Sequence, residues 1–226
     1  MIKIAQGSDG WWFDGARFYE KGDGIPLTSA DPAARDLLEA LCVRLFFLNR
    51  WQGEPSLYGP VSVGYHSLLV AELAARLARV RGLDAEACRR AGAAHDLGEA
   101  LGLGDIAAPW LRGCIDLRAL NERHQRAAER LLSIEKGWHF GDPEIWLVVK
   151  DADHLAAGIE RRYLYGDDSR DMEGPDVERL LAELGLDRIN VDNSTAKGAA
   201  LFEARGGQCL VTPLDGPSQL VATCGC

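Results

Sequence analysis

The chain lacks any apolar run approaching the ~18 residues that a membrane-spanning helix needs, and Met1-Ile2-Lys3 leads into no signal-peptide core. A cytoplasmic location without a membrane partner is therefore expected. Positive charge is also scarce: 25 Lys and Arg stand against 34 Asp and Glu, a formal net charge of −9. Nucleic-acid-binding faces are generally basic, so this balance disfavours a long polyanion. It still allows a small phosphate ligand held by a few local cations. The six cysteines form no disulfide framework. Cys42, Cys88 and Cys114 stand singly in apolar or helical contexts and read as packing residues, since a free thiol behaves there as a small hydrophobe. Cys209, Cys224 and Cys226 cluster near the end, without a histidine to help complete a zinc site. Internal repeats and low-complexity segments are missing too. What is present is 226 residues with 47% hydrophobic content, enough for one substantial core.

Helical periodicity dominates the middle of the chain. Asp31-Pro32 offers an N-cap followed by Pro at the first helical position, and Leu37, Leu38, Leu41, Leu45 and Leu48 then share one face. This helix is expected to end near Asn49. A second helix opens at Ser62-Val63 with His66, Leu69, Leu73, Leu77 and Val80 on one face. Gly82-Leu83-Asp84 stops it and caps a third, Ala-rich helix leading to His95. A polar helix over 116–136 carries Leu117, Leu120, Ala127, Ala128, Leu131 and Leu132 on its buried side. There His124 reads as solvated, either structural or a phosphate contact. Asp142-Pro143 starts another helix, with Trp146, Val149, Asp153, Ala156, Ala157 and Glu160 in one stripe, and Pro175 starts a last one through Leu180, Leu181 and Leu184. The ends differ: residues 1–30, with Trp11, Trp12 and Phe13, read as a β arm, and 187–226 as a β-rich extension packed on the same domain. The fold class is mainly α, a helical bundle over 31–186 with a small β appendage from the two terminal segments.

The chemistry concentrates at Ala94-His95-Asp96-Leu97-Gly98-Glu99. Burying an imidazole and a carboxylate side by side is costly unless something pairs with them, and a divalent metal is the common partner. His66 and His95 with Asp96 and Asp153 make a mixed nitrogen and oxygen donor set that suits Mn, Co, Mg, Fe or Zn. Adjacent helical residues point roughly 100° apart, so His95 and Asp96 share one ion only where the end of their helix faces it. Gly98 and the Gly102-Leu103-Gly104 stretch put the helix end there. The stripe selects Asp153 over Asp151. Glu99, three residues after Asp96, is placed to move a proton. Lys150 lies one turn before Asp153, positioned to reach a phosphate or simply to snorkel from the surface.

Four segments in order resemble the HD-domain phosphohydrolases, specifically the small 5'-deoxyribonucleotidase-like branch of bacteria and prophages. They are Asn49-Arg50-Trp51, Ser62-Val63-Gly64-Tyr65-His66-Ser67, His95-Asp96-Leu97-Gly98-Glu99 followed by Asp105-Ile106-Ala107-Ala108-Pro109, and Val149-Lys150-Asp151-Ala152-Asp153. The resemblance covers roughly residues 37–165. It implies an HD-type helical phosphohydrolase domain with one divalent metal on His66, His95, Asp96 and Asp153. It further implies Glu99 and Asp105 as catalytic residues, Arg50 on phosphate, Trp51 on the sugar against a 2'-hydroxyl, and Lys150 as a further substrate contact. The expected activity is hydrolysis of 5'-deoxyribonucleoside monophosphates, with a small-molecule nucleotide as partner and a homodimer as assembly. Besides a cyclic-nucleotide or dinucleotide phosphodiesterase, ranked lower because its two-metal versions need further His and Asp ligands, two alternatives stand beside it. One is a deoxynucleoside triphosphate triphosphohydrolase, using Arg112, Arg118 and Arg123 for the outer phosphates. The other is a nucleotide sensor that keeps the metal site, against which Glu99 argues, since a binding module needs no proton-transfer group.

Overall fold

The computed structural model describes residues 33–53, 60–101, 104–106, 108–136, 140–161, 179–180 and 183–184, with only short paired backbone segments at 2–3, 11–13, 18–20, 189–191, 202–204 and 208–211. Helix α1 (Ala33–Leu45) buries Leu37, Leu38, Leu41 and Leu45 completely. It stops before the expected Asn49, because the amides of Phe46, Phe47 and Leu48 reach back only three residues, to Val43, Arg44 and Leu45, and tighten the last turn. The chain then pairs with its own continuation: Arg50 N–H donates to the Val61 carbonyl and Val63 N–H to that of Leu48, both at 2.8 Å. These bonds fix Arg50 beside the start of α2 (Val63–Arg81).

Helix α2 is the axis of the bundle. Ser62 caps it, its hydroxyl accepting Tyr65 N–H at 3.3 Å, and Gly82 ends it at φ 72°, a left-handed conformation that favours glycine. Thirteen of its nineteen residues are buried, more than one amphipathic stripe allows, so it must be covered on two sides. Leu68 and Ala71 face α1, the turn at 97–101 and α5 (Ile115–Lys136, after the short α4, Ala108–Gly113). Leu69, Val70, Leu73 and Leu77 face α3 (Ala85–Ala94), α6 (Pro143–Ile159) and Leu180. Each fully buried leucine contributes roughly 1.5–3 kcal/mol, so this two-sided burial of α2 is what holds the helices in place. Val80, expected on the inner face, is exposed at the end of α2.

Small residues set the helix spacing. A Cβ on Gly92 in α3 would lie 2.9 Å from the Ala71 Cα of α2, and one on Gly98 would lie 2.5 Å from the Gln125 backbone nitrogen of α5. Neither position has room for a methyl group. Asp84 caps α3 by accepting the amides of Glu86 and Ala87, and Asp142 caps α6, with Pro143 following, by accepting that of Glu144.

Several expectations change here. His124, read as solvated, is fully buried where α5 packs on the 97–101 turn, while Cys114, read as a packing residue, is exposed; Cys42 and Cys88 are buried. The described body is mainly helical, and a β appendage finds no support in it. Among the described residues, the terminal segments carry two- to four-residue antiparallel ladders in two separate sets, Ile2–Lys3 with Trp11–Phe13 and Phe18–Glu20, and Ile189–Val191 with Phe202–Ala204 and Gln208–Val211. They do not join into one sheet. The Asp31-Pro32 start, Gly102-Leu103, the Pro175 start, Cys224 and Cys226 and the side chains of Trp11, Trp12 and Phe13 lie outside the described residues. Among the described residues, no helix is long and apolar enough to cross a membrane.

Candidate metal centre

The helix carrying His95 and Asp96 breaks where the ligand argument requires. Helix α3 ends at Ala94, His95 and Asp96 form a turn, and a 3₁₀ segment follows over Leu97–Leu101. Gln125 of α5 stabilises the break. Its side-chain oxygen accepts Gly98 N–H and its nitrogen donates to the Ala94 carbonyl, both at 3.0 Å, replacing bonds that a continuous helix would make. His95 and Asp96 therefore face one point together. His95 Nδ1 lies 2.7 Å from the Gly92 carbonyl. A carbonyl only accepts, so Nδ1 carries hydrogen and, in a neutral ring, Nε2 is the bare nitrogen.

Around that nitrogen the site closes. His95 Nε2 lies 3.0 Å from Asp96 Oδ2 and 3.7 Å from Asp153 Oδ1, yet it is buried and makes no hydrogen bond. His66 Nε2 is 2.9 Å from Asp153 Oδ1 and 3.8 Å from Asp96 Oδ2. One ligand atom each from His66, His95 and Asp96 falls within 4.8 Å of the others. Asp153 reaches both histidines. Asp151 does not join them, its carboxylate pairing instead with Arg81 Nη1 at 2.8 Å.

The electrostatics of the cluster favour positive charge. Burial disfavours both imidazolium forms, and Arg50 adds to this at His66, yet the carboxylates outweigh these effects. The His66 pKa is raised by Glu160 and Asp153, and the His95 pKa is raised well above its ordinary value by Asp96 and Asp153. Burial works against ionised Asp153 as well, but the hydrogen bond with His66 and the nearby His95 imidazole hold its carboxyl well below the usual range. Such a cluster attracts positive charge, whether as protons or as a metal. The two imidazole nitrogens, the two carboxylates and the buried Nε2 of His95 without a hydrogen bond fit a divalent ion with mixed nitrogen and oxygen ligands.

Glu99 follows on the 3₁₀ turn. One of its oxygens is buried without a hydrogen-bond partner, and burial, then Asp96 and Asp105, push its carboxyl well above the ordinary value. Asp105 accepts the Trp51 amide at 2.6 Å, tying its loop to the 3₁₀ turn over Trp51–Gly53. Trp51 holds φ 55°, a left-handed conformation that costs a non-glycine residue roughly 1–3 kcal/mol. Arg161 stacks over its ring at 4.0 Å and Arg50 stands 5.2 Å from it. Arg50 is buried. Its Nε donates to Glu160 Oε2 at 3.0 Å, and Nη1 sits 3.8 Å from Asp96 Oδ2. Lys150 is exposed on α6, and no contact links it to the cluster.

Glu160 is the residue that sequence reasoning missed. It is buried, with Oε1 2.8 Å from His66 Nδ1 and Oε2 on Arg50. The signal was available, because an acid seven residues after Asp153 on the same inward stripe needs a buried partner.

The segment that brings His66, His95, Asp96 and Asp153 together is also one that other proteins share. Residues 63–158 match the HD domain family. No curated protein and no solved structure matches the chain. The HD match spans all four candidate ligands together with Glu99, Asp105 and Lys150, and leaves Arg50, Trp51 and Glu160 outside it. With the His-His-Asp group it supports the HD-domain phosphohydrolase superfamily and its metal-dependent hydrolase chemistry.

Proposed function

We propose that the protein is a metal-dependent phosphohydrolase acting on nucleotides, with 5'-deoxyribonucleoside monophosphates as substrates. The observation that carries this is the convergence of His66, His95, Asp96 and Asp153 beside a buried Glu99 oxygen that lacks a partner. A divalent ion bound there supplies Lewis acidity toward a phosphoryl oxygen and lowers the pKa of water, Mn, Co, Mg, Fe or Zn being compatible with the donor set. Glu99 holds and passes a proton, burial and the charges of Asp96 and Asp105 favouring its protonated form. Arg50 Nη1, turned toward Asp96 at 3.8 Å, neutralises phosphate charge. Asp105 fixes Trp51 by accepting its backbone N–H, and the Trp51 ring covers the sugar, leaving a 2'-hydroxyl without a partner. Lys150 is a peripheral substrate contact.

The triphosphohydrolase reading needs further cations near the outer phosphates. Arg112, Arg118 and Arg123 are exposed on α4 and α5, which favours one phosphate over three. The sensor reading leaves the buried Glu99 carboxyl unexplained. A screen of nucleoside mono-, di- and triphosphates with Mn, Co and Mg, reading phosphate against triphosphate release, tests all three. Phosphate from deoxynucleoside monophosphates is expected. Faster triphosphate release would install the runner-up, and binding without turnover the sensor.

A further inference from the structure

His66 sits between two carboxylates of one helix and its extension. Asp153 Oδ1 faces Nε2 at 2.9 Å, and Glu160 Oε1 faces Nδ1 at 2.8 Å from the other side of the ring. Glu160 is held where α6 ends, its amide bonded to the carbonyls of Ala156 and Ala157. Its second oxygen accepts Arg50 Nε–H at 3.0 Å. Both side chains are almost wholly inaccessible, 2% exposed for Glu160 and 10% for Arg50. Neither residue belongs to the matched segment 63–158.

A carboxylate whose two oxygens both accept hydrogen bonds presents no donor to its neighbours. Facing His66 Nδ1, it requires that nitrogen to carry the hydrogen, and in a neutral imidazole Nε2 is then the bare nitrogen. That is the nitrogen turned toward Asp96 and Asp153. Imidazole ligands to metals commonly donate their other N–H to a carboxylate, which fixes the ring orientation and the tautomer. We infer that Glu160, clamped by Arg50, is a positioning residue that holds His66 with Nδ1 as donor and Nε2 as metal ligand. Arg50 thereby serves the site twice, through Nε on Glu160 and through the Nη end toward Asp96. The inference rests on the proposed metal reading of His66.

Glu160→Gln is the discriminating change. The amide keeps the shape but offers one acceptor where His66 and Arg50 each need one, so one of the two N–H groups must face an NH₂. On the full chain, Mn²⁺ titration calorimetry should show affinity falling about 10- to 100-fold for Glu160→Gln. In metal-free wild-type protein at a pH where the His66 ring is neutral, long-range ¹H–¹⁵N correlation should place its proton on Nδ1, a tautomer that no bound ion has imposed and that a purely structural Glu160 would not set. Affinity within about twofold of wild type, or a His66 proton on Nε2, overturns the inference, and the second measurement decides even where Glu160→Gln fails to fold. His66→Ala separates the two levels. If it binds Mn²⁺ as the wild type does, the metal reading fails and takes the inference with it. If His66→Ala loses Mn²⁺ while Glu160→Gln keeps it, the inference alone fails.

Discussion

Two aspartates two residues apart on α6, Asp151 and Asp153, are predicted to fail in opposite ways. Asp151 pairs with Arg81 at 2.8 Å, both side chains about a quarter exposed, and Arg81 also holds Glu183 through bonds of 2.7 and 3.2 Å. Partly exposed pairs of this kind contribute about 0.2–1 kcal/mol. With Glu183 still in place, Asp151→Ala should therefore lower Tm by no more than about 4 °C in a chain of this size. It should leave Mn²⁺ affinity unchanged. Asp153 bonds His66 Nε2 and lies 3.7 Å from His95 Nε2, so Asp153→Ala removes an anionic donor from the proposed ion. Losing it should weaken Mn²⁺ binding by at least about 100-fold, or roughly 2.7 kcal/mol, and abolish turnover. Titration calorimetry and differential scanning fluorimetry on the same preparations read both effects. Equal losses of metal affinity for the two variants would refute the placement of Asp153 in the metal site.

Three further outcomes are expected. Glu99→Gln should keep Mn²⁺ and nucleotide binding but lose about 10²-fold in kcat, and unchanged steady-state turnover would remove Glu99 from the chemistry. Trp51→Ala should narrow the preference for deoxyribo- over ribonucleoside monophosphates, set at about 10- to 100-fold by a 2'-hydroxyl left without a partner, chiefly by weakening deoxynucleotide use; an unchanged ratio of kcat/KM values removes Trp51 from sugar selection. In metal-free protein, burial opposes the His66 and His95 imidazolium forms but their carboxylate neighbours still raise both pKa values, so their stabilising effect is full below about pH 6.5 and is lost as pH rises through the folded values. Tm in EDTA should thus fall as pH rises above about 6.5, and Mn²⁺ should restore it most at the alkaline end, where protons no longer compete for the imidazoles; a metal-free Tm that rises with pH there contradicts the charge arrangement.

The helices were legible because their signals are local. Ser62, Gly82, Asp84, Asp142 and Pro143 are found where the capping rules place them. Val80, His124 and Cys114 were not legible, since each depends on which neighbour arrives from elsewhere in the chain. Val80 lies on the periodic face of α2 but beyond the last helix that covers it. His124 sits among charged residues, yet Gly98 lets the 97–101 turn come close enough to bury it.

The site divides the same way. His66, His95, Asp96 and Asp153 could be picked out because each interrupts an apolar face, where a polar side chain must have a reason. Glu160 obeys the same rule but is not legible, because its partner Arg50 reads as a ligand contact and a residue's second hydrogen-bonding edge cannot be seen in a sequence. Arg50 Nε and Nη1 point to different carboxylates, 3.0 Å from Glu160 and 3.8 Å from Asp96. A guanidinium is a planar fork of five donors, so one arginine can brace a histidine's partner and still face a phosphate. Lysine at position 50, a single ammonium, could serve only one of these directions.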